Sequence, residues 1–141
     1  MSENALWKRM RAGVIENCFV QRIENMVGAG VPDVLLHDRV TGKEAWVELK
    51  YRPLRPKRPG AVLFSGDYGL RPDQKAWIYA RATAGVNAWI LAQCGDDLYL
   101  VHGVHARGLE GMDAEALRNN CAWVTSARGT DWRKLLDVIM S

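Results

Sequence analysis

The sequence predicts one α/β domain, a mixed central sheet flanked by helices, with elements in the order helix, three strands, helix, two strands, then smaller helical and strand additions. Three observations carry this. A chain of 141 residues, 48% apolar and 25% charged, has the length and mixture of a single domain with a real core. Apolar positions recur at helical spacing near the N-terminus and after Pro72, whereas the stretches between them alternate at strand spacing. No repeat, low-complexity tract or second-domain boundary interrupts residues 1–141, so a single domain is expected.

Each element has its own local reason. Ser2 is placed to cap a first helix on which Glu3, Leu6, Trp7 and Met10 fall at i, i+3, i+4 and i+7, before Gly13 ends the run. Cys18 to Ile23 alternates as a strand, and Asn25 to Gly30 reads as a flexible approach to the next. Val31–His37 and Glu44–Tyr51 are β-favouring runs on either side of Asp38–Lys43, whose Thr-Gly pair suits a hairpin turn. Pro53, Pro56 and Pro59 remove ladder donors, so Arg52–Gly60 is an exposed loop. A helix follows from Arg71 or Pro72, with Gly85 suited to its C′ position. Val86–Gln93 and Leu98–Val101 then pair around Gly95-Asp96-Asp97. The tail predicts a helix near Asp113–Asn120, a strand at Cys121–Thr125, and a last helix begun by Thr130 with Trp132, Leu135, Leu136 and Ile139 on one face.

Net charge is only +3, but it is unevenly spread. Between residues 50 and 81, eight cations (Lys50, Arg52, Arg55, Lys57, Arg58, Arg71, Lys75, Arg81) face two acids, Asp67 and Asp73, a local +6 that leaves the remainder at −3. Such a concentration suggests a surface that meets a polyanion, and the predominance of Arg favours forked phosphate contacts. Arg52, Arg55, Lys57, Arg58, Arg71 and Lys75 are therefore candidate nucleic-acid contacts; a solvated loop that aids solubility is the alternative. With no signal-like start and no apolar run near the ~20 residues of a membrane span, a soluble intracellular protein is expected. Cys18, Cys94 and Cys121 are odd in number, widely spaced and without a CxxC pair, so reduced buried thiols are expected. His102 and His105 have metal-ligand spacing but no nearby Cys or carboxylate companion except Asp96 and Asp97, and a metal role for them is the minor reading.

The chemistry concentrates in Gly30-Val31-Pro32-Asp33 and Glu48-Leu49-Lys50. Alternation along a strand sends Glu48 and Lys50 to one face and Leu49 to the other. A turn centred between 40.5 and 41.5 sets Asp33 opposite residue 48, 49 or 50. Two carboxylates and an ammonium thus converge. Hard oxygen ligands suit Mg²⁺ or Mn²⁺, which could polarise a phosphodiester and generate hydroxide while Lys50 orients the nucleophile or balances developing charge. A surface hairpin with a Glu–Lys ion pair, worth ~0–1 kcal/mol, is the plain alternative. By the same alternation Trp46 shares this face, where it walls the site or packs beneath the first helix. Trp7, Trp77, Trp89 and Trp132 lie in core patterns, and Tyr68, between glycines, is a candidate substrate contact.

Pro32-Asp33 followed by Glu48-Leu49-Lys50 resembles the two halves of the PD-(D/E)XK nuclease signature. With Glu3 on a first helix and Gln74 later, roughly residues 2–102 are similar to the small stand-alone VRR-NUC branch. That resemblance implies a restriction-endonuclease-like α-β-β-β-α-β core. It implies metal ligation by Asp33, Glu48 and the Leu49 carbonyl, with Glu3 completing or bridging a second metal position. Lys50 would be the catalytic lysine, and Gln74 would contact phosphate or water. For Glu3 and Gln74 the residues alone leave a helix-dipole acid and a solvated first-turn Gln open. Family members often have Gly after the lysine, where this chain has Tyr51-Arg52-Pro53. The function implied is a Mg²⁺-dependent DNA endonuclease acting on branched DNA such as a Holliday junction, in the cytoplasm of a bacterium or phage-infected host. Paired cuts would require a homodimer. Cleavage of duplex ends, nicks or RNA, or nucleic-acid binding without cleavage, are the competing expectations.

Overall fold

Alternation on the central strands and two amphipathic helices decide the layering. In the computed structural model, which describes residues 2–23 and 30–141, the elements are α1 (Glu3–Val14), β1 (Cys18–Arg22), β2 (Val34–Asp38), β3 (Glu44–Arg52), α2 (Pro72–Thr83), β4 (Ala88–Cys94), β5 (Asp97–His102), α3 (Ala114–Asn120), β6 (Trp123–Ser126) and α4 (Trp132–Met140). The six strands form one mixed sheet in the order β1-β2-β3-β4-β5-β6. Only β3 and β4 are parallel, because α2 makes the crossover between them; the other neighbours are antiparallel. The expected α/β class and the mixed sheet flanked by helices are therefore observed.

One sheet face carries Val34, Leu36, Ala45, Val47, Leu49, Trp89 and Leu91, packed against Leu6, Met10 and Val14 of α1 and Leu135, Leu136 and Ile139 of α4. The opposite face carries Ile90, Ala92, Cys94, Tyr99 and Val101 beneath Ile78 and Ala82 of α2 and the Leu63, Phe64 and Leu70 segment. The tail beyond residue 102 thus supplies an edge strand and a core helix to the same sheet.

Several boundaries differ from the sequence reading for identifiable reasons. Gly13 does not end α1, which runs to Val14; the Trp132 ring lies where its Cβ would be, 2.2 Å from the nearest ring atom. β2 begins at Val34 rather than Val31, and β4 is shifted to Ala88–Cys94. β6 spans Trp123–Ser126 rather than Cys121–Thr125. Asp131, not Thr130, caps α4, while the Thr130 hydroxyl donates to the Ser126 and Ala127 carbonyls. Gly85, at φ 96°, follows the Ala84 C-cap of α2 as expected. Of the expected Asn25 to Gly30 approach, residues 24–29 lie outside the described residues. No described helix is long and apolar enough to cross a membrane.

Candidate active site

The site forms where β2 leaves β3. The two strands pair as far as Val34 and Val47, after which β3 continues to Arg52 with β4 alone on its other side. That register extends to Asp33 opposite Glu48, within the range the hairpin arithmetic allowed. The gap left by β2 is bridged by a side chain: Asp33 Oδ2 accepts from the Leu49 backbone N–H at 2.9 Å. A strand residue projects N–H and C=O to the same side, so the Leu49 carbonyl faces this gap too.

Gly30 explains how Asp33 is held there. Its φ is 87°, and a Cβ would meet the Asp73 carbonyl oxygen at 2.2 Å, so the Gly30–Asp33 segment lies directly on the first turn of α2. That turn delivers Gln74, which is 3% exposed. Its Oε1 accepts from the Arg71 N–H at 2.9 Å, and its Nε2 donates to Glu48 Oε2 at 3.1 Å. One amide both caps a helix and orients a carboxylate. Gln74 is therefore neither solvated nor aimed at open space.

Glu48 is 1% exposed, and Lys50 Nζ lies 3.6 Å from its Oε2. Its other oxygen, Oε1, is buried and receives no hydrogen bond from a donor among the described residues, while the Asp33 carboxyl lies within hydrogen-bonding reach of the Glu48 side chain. Burial foremost, then the neighbouring Asp33 charge, push the Glu48 carboxyl up to about 9, against the opposing pull of Lys50. Glu3 projects from the first turn of α1, capped by Ser2. Burial and then Asp33 raise its pKa, while Lys50, Arg22 and Arg71 lower it, so the first helix brings a third acid within electrostatic reach.

Among the described residues, no three His, Cys, Asp or Glu side chains converge as a ready-made metal cage. A hard divalent cation needs less, one or two carboxylates with carbonyl and water oxygens. The donor set fits that requirement: Asp33, Glu48 and the Leu49 carbonyl border one gap. Glu48 Oε1, without a donor among the described residues, is a costly buried acceptor unless a proton or a cation meets it.

The basic residues separate. Arg52 is committed internally: Nε donates to the Leu54 carbonyl at 3.1 Å, Nη1 to those of Val62 and Leu63 at 3.3 and 3.0 Å, and the guanidinium stacks on Tyr68 at 4.9 Å. Arg55 pairs with Asp97, and Lys75 Nζ lies 2.6 Å from Glu110. Arg71, more than half exposed, pairs with Asp73 at 3.3 Å and still acts on Glu3. Lys57 and Arg58 are exposed. The loop thus does not form one cation patch over Glu48 and Lys50; it crosses β4 and β5 towards α3. Tyr68, expected as a substrate contact, presents its face to Arg52. Trp46 meets Trp77 of α2 edge-on at 5.3 Å, so it packs beneath α2, not α1. His102 Nδ1 accepts from the Val104 N–H at 3.2 Å and its ring abuts Trp89, a structural role.

Sequence reasoning missed Arg22. Its register partner is Val34, next to Asp33, and its guanidinium stacks 5.0 Å from the Trp7 ring beside Glu3. Only the β1–β2 register could have revealed it. No protein-family model matches the chain, and no curated protein matches it at a significant level.

Proposed function

We propose that the protein is a divalent-metal-dependent endonuclease that hydrolyses phosphodiester bonds in DNA, with Asp33, Glu48 and Lys50 at its centre. The observation that carries this reading is the buried Glu48 carboxyl, one oxygen of which has no donor among the described residues, set between Lys50 and the Asp33 arm. An ion-paired surface hairpin has no use for a carboxylate that is 1% exposed. Asp33, Glu48 and the Leu49 carbonyl would hold Mg²⁺ or Mn²⁺, with Glu3 at a second position. Such an ion supplies polarisation of a phosphate oxygen and a more acidic water.

The chain's own residues have separable roles. Lys50, 9% exposed, offers an ammonium whose field is little screened, suited to orienting an attacking water or to balancing charge on the phosphorane. Gln74 holds Glu48 in one orientation and is a positioning residue. The Asp33 hydrogen bond to Leu49 N–H fixes the arm that closes the gap. Arg71, Lys57 and Arg58 remain accessible for phosphate contact. A small domain with no separate reader module is suited to DNA shape rather than a long sequence, which agrees with the PD-(D/E)XK and VRR-NUC resemblance and with branched DNA as substrate. Two cuts across a junction would take a homodimer, and the reading places the protein in the cytoplasm.

The test is cleavage of matched junction, flap, nicked, linear duplex and single-stranded substrates with and without Mg²⁺ or Mn²⁺. Metal-dependent cutting that Asp33→Asn and Lys50→Ala each reduce by about 10²–10⁴-fold is expected. The reading fails if the wild type does not cut any substrate, or if either variant cuts at the wild-type rate. Binding without cutting would make the protein a nucleic-acid-binding module. Equal cutting of linear duplex would remove the branch preference.

A further inference from the structure

The loop after β3, strands β4 and β5, and α3 enclose a cleft of about 360 Å³. Its floor is apolar, with Leu63, Cys94 and Tyr99 all buried. Its rim carries charge in balance: Arg55, Arg58 and Arg118 against Asp97, Asp113 and Glu115. A rim without net charge is a poor trap for phosphate. What it offers instead is a slot edged by two guanidinium groups held in place on one carboxylate, each with N–H donors beyond those the carboxylate takes up. The Asp97 side chain is 17% exposed, and its Oδ2 is approached by both Arg55 and Arg118, the latter at 3.7 Å.

Forked guanidinium donors beside a carboxylate, over an apolar floor, match the edge chemistry of a nucleobase. Guanine answers both, with O6 and N7 acceptors for a guanidinium and ring and amino N–H donors for a carboxylate. The walls are built in advance. Arg52 ties down the Val62 and Leu63 carbonyls, the Leu63 N–H donates to the Met112 carbonyl at 3.2 Å, and Pro56 and Pro59 stiffen the loop.

The cleft also stands in a defined relation to the candidate active site. Lys50, Ala92 and Tyr99 are register partners in one row across the sheet, so they share a face. Two strand spacings put the Tyr99 backbone about 10 Å from that of Lys50. We propose that this cleft receives one unpaired guanine of the bound strand, within a few nucleotides of the phosphate at Lys50. The proposal rests on the reading of the ligand as nucleic acid and adds to it a base-specific contact, which would bias where a branched substrate is cut.

The test uses the wild-type chain in EDTA, so that binding is read without cleavage. Fluorescence anisotropy compares a fluorescein-labelled 15-residue oligo-dT with versions carrying one central dG, dA or dC. Tighter binding of the dG oligonucleotide by roughly 5- to 100-fold is expected. Asp97→Asn, and independently Ala114→Trp, which fills the cleft from an exposed lining position, should each remove that preference. Thermal melts followed by circular dichroism check that each variant is folded. Equal binding of all four oligonucleotides by the wild type overturns the proposal, as does a guanine preference that survives Ala114→Trp. Metal-dependent cleavage is scored separately. Cutting without guanine preference defeats the cleft alone, and guanine preference without cutting defeats the nuclease reading alone.

Discussion

Lys50 and Arg52 stand two residues apart on one strand and on one face of the sheet, and their surroundings differ in kind. Lys50 reaches a buried carboxyl, one oxygen of which receives no hydrogen bond from a donor among the described residues. Arg52 donates to three backbone carbonyls and covers an aromatic ring, so its neighbourhood is closed. Charge density in the sequence was the same signal for both. What separates them is where β3 has a neighbour. Beside Lys50 the partner strand β2 has already left, whereas beyond Arg52 the loop folds back over β4 and supplies carbonyls. A cation next to folded-back backbone is taken up by its carbonyls, whereas one next to a strand gap meets only the side chains around it.

The largest test of this contrast is the pH dependence of stability. Glu48 binds its proton more tightly in the folded chain than at its ordinary value of 4.5, so its contribution is whole below pH 4.5 and is lost as pH rises towards about 9. Within that window one such group lowers stability by up to about 1.4 kcal/mol per pH unit. Urea denaturation of wild type and Glu48→Gln at several pH values should show the wild type losing stability relative to the variant steadily from pH 5 towards pH 9, because Gln cannot ionise. Saturating Mg²⁺ should flatten this trend, since a bound cation replaces the proton. A difference constant from pH 5 to 9 would show that Glu48 is not the strained group described here.

Next in size is Gln74→Ala. Removing the amide frees Glu48 from its single orientation and leaves the Arg71 N–H uncapped. Partners that orient metal ligands typically contribute 10–100-fold to metal affinity or activity, and a loss of that size is expected in the metal concentration needed for half-maximal cleavage. Gln74→Glu keeps the cap acceptor but sets a second buried carboxyl against Glu48 in place of a donor, so it should recover neither activity nor full stability. If Gln74→Ala cuts like the wild type at every metal concentration, the amide is only a helix cap.

Arg52→Ala should act the other way round. Losing charge-assisted bonds to carbonyls costs about 1.5–3 kcal/mol, readable as a lower urea midpoint. Cleavage per folded molecule should stay within a few fold. A normal midpoint with abolished cleavage would put Arg52 back among the substrate contacts.

How far the sequence anticipated this depended on the range of the cause. The β3 alternation, the hairpin register and the Pro72-to-Gly85 limits of α2 follow from neighbours a few residues away, and they placed Asp33 beside Glu48 and Lys50. The reasons for Gly13 and Gly30 lie elsewhere, in Trp132 and in the Asp73 carbonyl, so one was misread as a helix stop and the other was read only as the end of a flexible approach. Arg22 and the carbonyl partners of Arg52 depend on tertiary closure in the same way. Charge counting grouped cations that packing later divided.

The smallest expected effect is on the exposed cations of the loop. Lys57 and Arg58 are solvent-facing, and truncating either should leave the urea midpoint within about 0.5 kcal/mol of wild type. Their signature is electrostatic. Each phosphate contact contributes close to one unit to the slope of log affinity against log salt, so Lys57→Ala and Arg58→Ala should each flatten that slope by ~1, and the double variant by ~2. Arg52→Ala, with its guanidinium already occupied, should leave the slope unchanged despite its larger effect on stability. If Arg52 moved the slope while Lys57 and Arg58 did not, the division between closed and available cations along this strand and loop would have to be reversed.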